Sequence, residues 1–540
     1  MNMKSVKILA IIASASLLVT SCKKFGDTNI NPNGTSTPST AALLSNVESG
    51  LGAFASATRD ALYAQQISET QYTEVSLYAL PKLDFDGTYS GALYDLQNII
   101  IYNSDPEKIP LASKFGSANN QIAIARILKA YIFWTLTDRW GDIPYTEALK
   151  GAEDLTPAYD TQEFIYKDLI KELTQAADQF DAGAAPTGDF LFKGSSAAWK
   201  RIANSLRMLI TLRTSKVYPN PGEWAATEFN KAFTDSDGFA DDSVEGLILA
   251  YPGNVAAFRN PWYNLYNGRT DFAESELMTN FMAAYNDPRQ AAFGSSTVGF
   301  PYGLTRDQAV AFTNDHDNYA KVLASGFRAT SSALPVISAS SVNLAIAEAA
   351  QRGWITADVA AYYKKGITES WKQWNIKADG VDAYIAQANV SLATNPLEKI
   401  QLQQYFAFYP NGLQAWSNWR RTNVPALVPT PNAGNSGGKI PRRYVYGSSA
   451  YAAGLDINDV LLKADGSDIK TAKDFEAVTE KHKPGETIEI VYSRKGVERT
   501  TKLTFIENPS LEVLPIENTG GTLTTEMKAF RDKWLESAVK

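Results

Sequence analysis

Two segments of the chain place aromatic rings beside amide and charged side chains. They are NPWYNLYNGRTDF (260–272) and VGFPYGLTRDQ (298–308). Rings stack on the C–H faces of a ligand and amides bond its hydroxyl or peptide groups, so this mixture is typical of a site for an uncharged polar ligand. The candidate contacts are Trp262, Tyr263, Tyr266, Arg269, Asp271 and Tyr302, with Tyr78 and Phe85 of LYALPKLDFDGTY (77–89) as weaker ones. The alternative interpretation is that these residues only fold the loops onto the helices.

Patterns for catalysis or metal binding are weaker. His316 and His482 are far apart in sequence, so we expect them in different domains, and the chain contains no HExxH zinc helix, Walker loop or CxxC pair. NDHDN (314–318) could place Asp315 and Asp317 around calcium, but it lacks the spacing of an EF-hand loop and favours a solvated acidic loop. We therefore expect no enzyme activity, no cofactor and no metal. A glycosidase built on two distant carboxylates stays open.

The N-terminus is typical of a bacterial lipoprotein. A basic start, MNMKSVK, precedes the apolar run ILAIIASASLLV (8–19), which is shorter than the roughly 20 residues that span a bilayer. Leu18-Val19-Thr20-Ser21-Cys22 resembles a lipobox, in which the cysteine is lipidated and becomes the mature N-terminus. We predict a signal peptide over 1–21, a lipid anchor on Cys22 and a flexible spacer over 22–45. The alternative is an ordinary secretory signal with a chance cysteine.

Length and composition predict an ordered protein with more than one domain. The chain has 540 residues, 44% of them hydrophobic and 11% aromatic, and a formal net charge of −7. Without an excess of basic residues, nucleic acid is not an expected partner. Cys22 is the only cysteine, which excludes a disulfide within the chain.

Helical periodicity dominates from about residue 46 to 430. Apolar residues recur at helical spacing in five segments. The first, Ile124 to Ile132, is expected to stop before TDRWGDIP, the second starts after Asp160-Thr161, and the fourth, from Leu277 to Tyr285, stops at Asp287-Pro288. The third and fifth are Trp199–Ile210 and Val359–Trp374. We predict a mainly α body of packed helix pairs joined by long loops.

A series of motifs in this body resembles the SusD/RagB family of nutrient-binding outer-membrane lipoproteins. The motifs, in chain order, are DTNINPN (27–33), ILKAYIFWTLTDRWGDIPYTEAL (127–149), YDTQEFIYKDLIKEL (159–173), WKRIANSLRMLITLR (199–213), NDPR (286–289), AIAEAAQRGW (345–354) with YYKKGITESW (362–371), AWSNWRRTNVPAL (415–427) and IPRRYVY (440–446). Each motif alone is weak, but their order over most of 27–447 makes the resemblance specific.

The resemblance implies a helical fold with tetratricopeptide-like hairpins. It also implies that an oligosaccharide or peptide is captured outside the cell and delivered to a TonB-dependent, SusC-like transporter in the outer membrane. In TDRWGDIPY, Gly141 permits the turn after the helix, Pro144 blocks its continuation, and Asp138 and Asp142 can bond neighbouring amides. The pairs Arg420-Arg421 and Arg442-Arg443 are expected to pin loops to helix ends or acidic partners.

The pattern changes after Ser448. Strand-like DVLLKA (459–464), a short helix in TAKDFEAVTEKH (471–482), and the strands TIEIVYS (487–493) and ERTTKLTF (498–505) joined by RKGV form a small α+β segment. AYAAGLDINDVLLKADGSDI resembles the later half of a bacterial PDZ domain, with Asn458 where Gly is usual. The groove strand that normally precedes this stretch is missing, so peptide binding by the usual route is doubtful.

These observations predict five regions and one main function. The regions are the signal peptide, the spacer, a SusD-like domain over 46–447, a partial PDZ-like segment over 448–510 and a tail over 511–540 with an amphipathic helix. The predicted function is capture of an oligosaccharide or peptide by a lipid-anchored outer-membrane protein that faces the cell exterior. The alternative is a surface-anchored adaptor that recruits a protein through the PDZ-like tail.

Overall fold

The computed structural model describes residues 39–150, 157–434, 436–446, 460–483, 485–494 and 497–505. The chain divides into two compact units, with the division between Tyr446 and Gly447. The predictions for Cys22, the signal peptide, most of the spacer, the stretch around Asn458 and the C-terminal helix lie outside the described residues. The end of the predicted spacer 22–45 is wrong, because a helix with a buried face already starts at Thr40. The two histidines fall in different units, as expected.

The first unit is built mainly of helices. They are α1 (Thr40–Ala55), α2 (Thr58–Tyr63), α3 (Asp86–Thr88), α4 (Tyr94–Ser104), α5 (Ile109–Ala112), α6 (Ala118–Trp140), α7 (Gln162–Asp178), α8 (Ser196–Arg213) and α9 (Trp224–Phe233). They continue with α10 (Pro261–Tyr266), α11 (Glu276–Ala284), α12 (Gln290–Phe293), α13 (Arg306–Asp315), α14 (Ala339–Gln351), α15 (Val359–Gln373), α16 (Val381–Ile385), α17 (Pro396–Ala407) and α18 (Gly412–Thr422).

Consecutive long helices pack against each other, which confirms the mainly α fold built of helix pairs. Helices α6, α7, α8 and α9 are in contact in chain order, and α14 packs on α15 and α17. The start of α7 is where the sequence predicts it, because the side chain of Thr161 accepts a hydrogen bond from Phe164 N. Buried side chains of these helices form one large hydrophobic cluster, with a smaller one between α14, α15 and α16.

Two predicted helix ends differ from the structure. Helix α6 does not stop before TDRWGDIP but continues to Trp140, because Gly141 adopts a φ of 87° only after that residue. Helix α11 ends at Ala284 with Tyr285 as its cap, before Asp287-Pro288 is reached. The predicted turn chemistry is confirmed for Asp142, which accepts from Gln162 N at 2.8 Å.

Asp138 was expected to bond backbone amides, and this expectation is wrong. Its carboxylate instead accepts a hydrogen bond from the Tyr166 hydroxyl and lies 3.3 Å from Arg213 Nε. Asp138 lies on the last turn of α6, so its side chain points between α7 and α8 rather than into the following turn.

The first unit contains three buried arginine–carboxylate pairs, two of which join segments that are distant in sequence. Arg139 pairs with Asp60 at 2.7 Å, Arg289 with Asp287 at 2.5 Å, and Arg421 with Glu348 at 2.5 Å. Both members of each pair are almost fully buried, and arginine in the interior requires a partner of opposite charge. The NDPR motif and Arg421 are therefore structural, and the predicted acidic partner of Arg421 is confirmed.

Three short strand pairs connect the loops of this unit. Strand β1 (Ile67–Glu69) pairs antiparallel with β5 (Phe272–Glu274), β2 (Ile143–Pro144) with β3 (Tyr159–Asp160), and β4 (Leu247–Leu249) with β6 (Leu334–Ile337). Each pair joins segments that are separated in sequence, so the loops between helices are held at defined positions.

The described residues of the second unit form a small sheet with one helix, which confirms the α+β pattern. The sheet has the order β10-β9-β7-β8, formed by β7 (Val460–Ala464), β8 (Ser467–Asp468), β9 (Thr487–Arg494) and β10 (Val497–Thr504), and α19 (Ala472–Thr479) follows β8. The predicted hairpin is present, with Val497 opposite Arg494. Its small core includes Val478, Ile490 and Leu503.

Within the described part of the chain, no helix is both long enough and apolar enough to span a membrane.

Glu48 is a buried carboxyl whose protonation is linked to stability. It is fully buried on α1, and burial together with the nearby Asp189 raises its pKa to about 9. The native state therefore holds a proton that the unfolded chain releases above its ordinary pKa of 4.5. The free energy of unfolding should fall as pH rises between these values, by at most about 1.4 kcal/mol per pH unit from this group.

We predict that Glu48→Gln flattens this pH dependence, because the amide cannot release a proton. The measurement is urea unfolding at pH 5, 7 and 9. Some slope should remain, because burial also raises the pKa of Glu69 to about 7 and that of Glu274 to about 8. The exposed Glu276→Gln is the matched control. An unchanged slope in Glu48→Gln would contradict a protonated Glu48 in the native state.

Candidate functional site

Three loop segments that are distant in sequence meet beside the β1–β5 pair. Thr70 N donates to Asp271 O at 2.9 Å, which extends the pairing beyond Glu69. On the other side of β5, Phe300 N donates to Glu274 O at 2.9 Å and Ser68 Oγ donates to Phe300 O at 2.9 Å. The segments after β1, before β5 and around 298–306 are therefore fixed relative to one another.

At this junction Tyr72 lies on the surface between two arginines. Its side chain is 46% exposed, and the guanidinium carbons of Arg269 and Arg306 lie 5.9 and 5.3 Å from its ring centroid. Arg269 also forms an ion pair with Asp271, whose side chain is 14% exposed. These four residues, Tyr72, Arg269, Asp271 and Arg306, are called the Tyr72 surface below.

The Tyr72 surface combines the groups that bind a polar, uncharged ligand. The exposed part of the ring offers an apolar face, the guanidinium groups donate hydrogen bonds, and the Asp271 carboxylate accepts them. A sugar ring presents C–H faces and hydroxyl groups, and a peptide presents amides. The arrangement contains no nucleophile paired with a base, so it supports binding rather than covalent chemistry.

Polar contacts hold the segments that carry Tyr72 and Arg306 in place. The carboxyl group of Glu69 accepts hydrogen bonds from Ser76 N and Ser76 Oγ, both at 2.8 Å, and so closes the turn that follows Tyr72. Arg306 is the first residue of α13, whose N-terminus is fixed by a capping box between Thr305 and Gln308.

Of the predicted site residues, Arg269 and Asp271 reach this surface. Tyr263 is partly exposed on α10, and Arg259 lies 5.6 Å from its ring, but no contact joins Tyr263 to the Tyr72 surface. Trp262 has no exposed surface and belongs to the main core. Its backbone N–H donates to the Asn260 side chain at 2.8 Å, so Trp262 anchors the start of α10 and is not placed to touch a ligand.

Tyr266 and Tyr302 use their hydroxyl groups inside the fold. Tyr266 donates to Phe272 O at 2.7 Å and accepts from Val322 N at 2.8 Å. Tyr302 donates to Leu62 O at 2.7 Å. Burial raises the pKa of both hydroxyl groups. The alternative interpretation, that the rings fold the loops onto the body, therefore describes these two residues.

The two weaker candidates, Tyr78 and Phe85, lie in different parts of the first unit. Tyr78 is fully buried, with a φ of 61°, and its ring lies 6.5 Å from that of Tyr302. Phe85 is partly exposed in a different cluster, where its ring centroid is 6.4 Å from that of Tyr159. Tyr159 is 45% exposed and lies 5.8 Å from Tyr446.

Sequence reasoning missed Tyr72 and did not select Arg306. Arg306 is in the quoted segment 298–308, so its composition could have suggested it. Tyr72 is a single ring in SETQYTE, with no periodicity or neighbouring ring to mark it. Only the β1–β5 pairing brings Tyr72 to Arg269.

The acidic segment 314–318, whose first two residues form the end of α13, is solvent exposed and does not form a cluster. Asp315 and Asp317 are both exposed. Among the residues that the structure describes, no group of three or more His, Cys, Asp or Glu side chains is arranged to hold a metal ion. His316 stacks on Phe312 with a centroid distance of 4.1 Å, which gives it a local packing role.

Family models match both parts of the chain. A model of SusD-like proteins, described as starch-binding and associating with the outer membrane, matches residues 32–447. A PDZ domain model matches residues 445–505. Among curated protein sequences, none matches the chain.

Solved structures share the helical fold. One titled a chitin-binding protein has 25% sequence identity and a TM-score of 0.64, and the match covers 76% of this chain and 93% of that chain. A chitin-binding SusD homolog from Flavobacterium johnsoniae has 24% identity and a TM-score of 0.62, with 76% and 92% covered. A SusD homolog from Bacteroides fragilis has 22% identity and a TM-score of 0.64, with 76% and 93% covered.

The placement of Trp262 and Tyr72 predicts that removing the first ring lowers stability strongly and removing the second hardly changes it. Trp262→Ala should lower the free energy of unfolding by about 3 to 5 kcal/mol, because it leaves a cavity in the core. Tyr72→Ala should change it by less than about 0.5 kcal/mol, because the ring is exposed. Urea unfolding of both variants measures this. A Tyr72→Ala variant as unstable as Trp262→Ala would show that Tyr72 is part of the core.

Proposed function

The chain belongs to the SusD-like family, and on that premise we propose that it binds an oligosaccharide at the bacterial outer membrane and delivers it to a TonB-dependent, SusC-like transporter. The family match supports nutrient binding as the general role. The observation that carries the ligand site is the exposed Tyr72 ring between Arg269 and Arg306.

The chemistry of the Tyr72 surface suits a neutral sugar better than a charged one. Asp271 neutralises Arg269, the charge of Arg306 is exposed to water, and the ring supplies apolar surface for the C–H groups of a pyranose. The structure titled a chitin-binding protein has 25% identity to this chain, so an N-acetylglucosamine oligosaccharide is the first ligand to test. Its acetamido groups would accept hydrogen bonds from the two arginines.

Lipidation of Cys22 would tether the protein, and the residues between Cys22 and the start of α1 at Thr40 would act as the spacer that lets the body reach a transporter. The sequence from Leu18 to Cys22 supports this anchor, because the cysteine follows a signal-peptide core directly. In this proposal the body faces the cell exterior, and binding is reversible and involves no chemical step.

A second function, as a protein-recruiting adaptor, is favoured by the PDZ match over 445–505. A PDZ domain binds an extended peptide by adding it to the edge of a strand. In the part of the sheet that the structure describes, β8 and β10 are the outer strands. The tail could therefore recruit a partner independently of the glycan site.

We predict that chito-oligosaccharide binding depends on Tyr72. Isothermal titration of the full chain with an N-acetylglucosamine hexamer should show binding, and Tyr72→Ala should weaken it roughly five- to tenfold through loss of stacking. Tyr94→Ala is the matched control, because that ring is 42% exposed on α4. Malto-oligosaccharide and a neutral tripeptide test the other ligand classes. Equal affinities of wild type and Tyr72→Ala for every ligand that binds would exclude this surface.

Pull-downs from detergent-solubilised outer membranes can distinguish delivery from recruitment. We expect the full chain and a chain ending at Ser448 both to retain a transporter barrel, because the first unit contains the family fold. If neither chain retains a barrel and only the full chain retains another protein, the adaptor function is correct. Loss of the barrel with the tail would assign transporter binding to the second unit.

A further inference from the structure

A cleft in the helical layer of the first unit carries an excess of positive charge. It has a volume of about 260 Å³ and lies between the C-terminal ends of α6 and α8, the first turns of α7, the start of α9, and α18. Five cationic and two acidic side chains line it: Lys167, Arg213, Lys216, Arg420 and Arg421, with Asp138 and Glu163. None of these residues belongs to the Tyr72 surface.

The charges on the floor of the cleft are not balanced. Arg421 is paired with the buried Glu348, which Arg352 also contacts at 2.8 Å. Asp138 is the only acidic residue that lines the floor, and it faces both Arg213, at 3.3 Å, and Arg420, whose Nη2 donates to the backbone oxygen of Asp138 at 2.6 Å. The Asp138 carboxylate therefore pairs with Arg213, and among the described residues no carboxylate forms an ion pair with Arg420.

Neither arginine has all of its donors satisfied. The buried Nε atom of Arg420 has no hydrogen-bond partner in the described residues, and the buried Nε atom of Arg213 lies 3.3 Å from the Asp138 carboxylate without forming a hydrogen bond with it. Burial lowers the pKa of the Arg213 and Arg420 guanidinium groups, to about 10 for Arg420. A nearby positive charge is a further cause in each case, Arg421 for Arg213 and Arg213 for Arg420. A water molecule could accept hydrogen bonds from the free donors but would not neutralise the positive charge, whereas an anion would do both.

The rim of the cleft is aromatic. The rings of Tyr218 and Trp224 lie 5.7 Å apart, and Lys167 Nζ lies 5.3 and 5.7 Å from their centroids. The Glu163 carboxylate forms an ion pair with Lys167 Nζ at 2.7 Å, which fixes the position of Lys167 at the rim. Lys216 stands exposed beside the rim. The volume is slightly below that of drug-sized sites, about 300 Å³ and above, and suits a single ring or residue.

We propose that this cleft is a second binding site, for a ligand group that carries a carboxylate on a ring or short apolar body. The carboxylate would lie against Arg213 and Arg420, and the body would lie against Tyr218 and Trp224. A uronic acid of a glycan and the C-terminal residue of a peptide share this chemistry. The whole protein has a net charge of −7, so attraction of an anion here depends on the local cluster and should weaken with salt.

The test is titration of the full chain with two matched pairs of probes. Glucuronate is compared with glucose, and N-acetylphenylalanine with its amide. In at least one pair the acid should bind at least tenfold more tightly than its neutral partner, and the pair that does so identifies the source of the carboxylate. Equal affinity of acid and neutral probe in both pairs, or no binding by either acid, would overturn the proposal.

Variants locate the site. Lys216→Glu should weaken binding of the acid about tenfold without loss of folding, because Lys216 is exposed. Lys114→Glu makes the same charge change at an exposed position outside the cleft and should have no effect. Arg213→Lys keeps the charge but should reduce affinity, because lysine cannot present the planar fork of arginine.

Tyr72→Ala in the same titration separates this proposal from the proposed function. If Tyr72→Ala weakens acid binding and Lys216→Glu does not, the carboxylate binds at the Tyr72 surface and the second site is excluded. If Lys216→Glu alone weakens it, the cleft is a separate site, whether or not a neutral oligosaccharide binds at Tyr72.

Discussion

The cost of burying charge organises the first unit. An arginine in the interior is stable only beside a carboxylate and with its donors satisfied, because desolvation of an unpaired charge is more costly than most packing terms. Arg289 illustrates this, with hydrogen bonds to both oxygens of Asp287 and to Gln403 Oε1 at 2.7 Å. The pair thereby connects the segment after α11 to α17 and restrains the loop in which it lies.

The same constraint explains why the two candidate sites differ. At the Tyr72 surface the arginines are exposed to water, so their charges need little compensation and the ring between them stays accessible. In the cleft, Arg213 and Arg420 are largely shielded from water, and of the two only Arg213 is paired with a carboxylate of the described residues, that of Asp138. A neutral ligand fits the first environment and an anionic group fits the second.

The second unit depends on a much smaller core. Within its described residues a single helix packs on one sheet, and the buried cluster contains few large side chains, among them Ile488, Ile490 and Leu503. Small cores bury too little apolar area to tolerate much loss, so this unit should be the less stable of the two. The family model for this region begins at 445, where the SusD-like match ends at 447.

The sequence by itself determined the mainly α class, the helix pairs and the α+β pattern after Ser448, because hydrophobic periodicity and caps act within a few residues. It also selected Arg269 and Asp271, which lie two residues apart in one segment. The tertiary structure alone decided which rings are buried. Trp262 and Tyr72 are both aromatic residues in loops or short helices, yet one is fully buried and the other 46% exposed. Strand pairing between segments about 200 residues apart determines which ring stays exposed. The contact between Thr70 and Asp271 is an example. No local sequence pattern encodes such a contact.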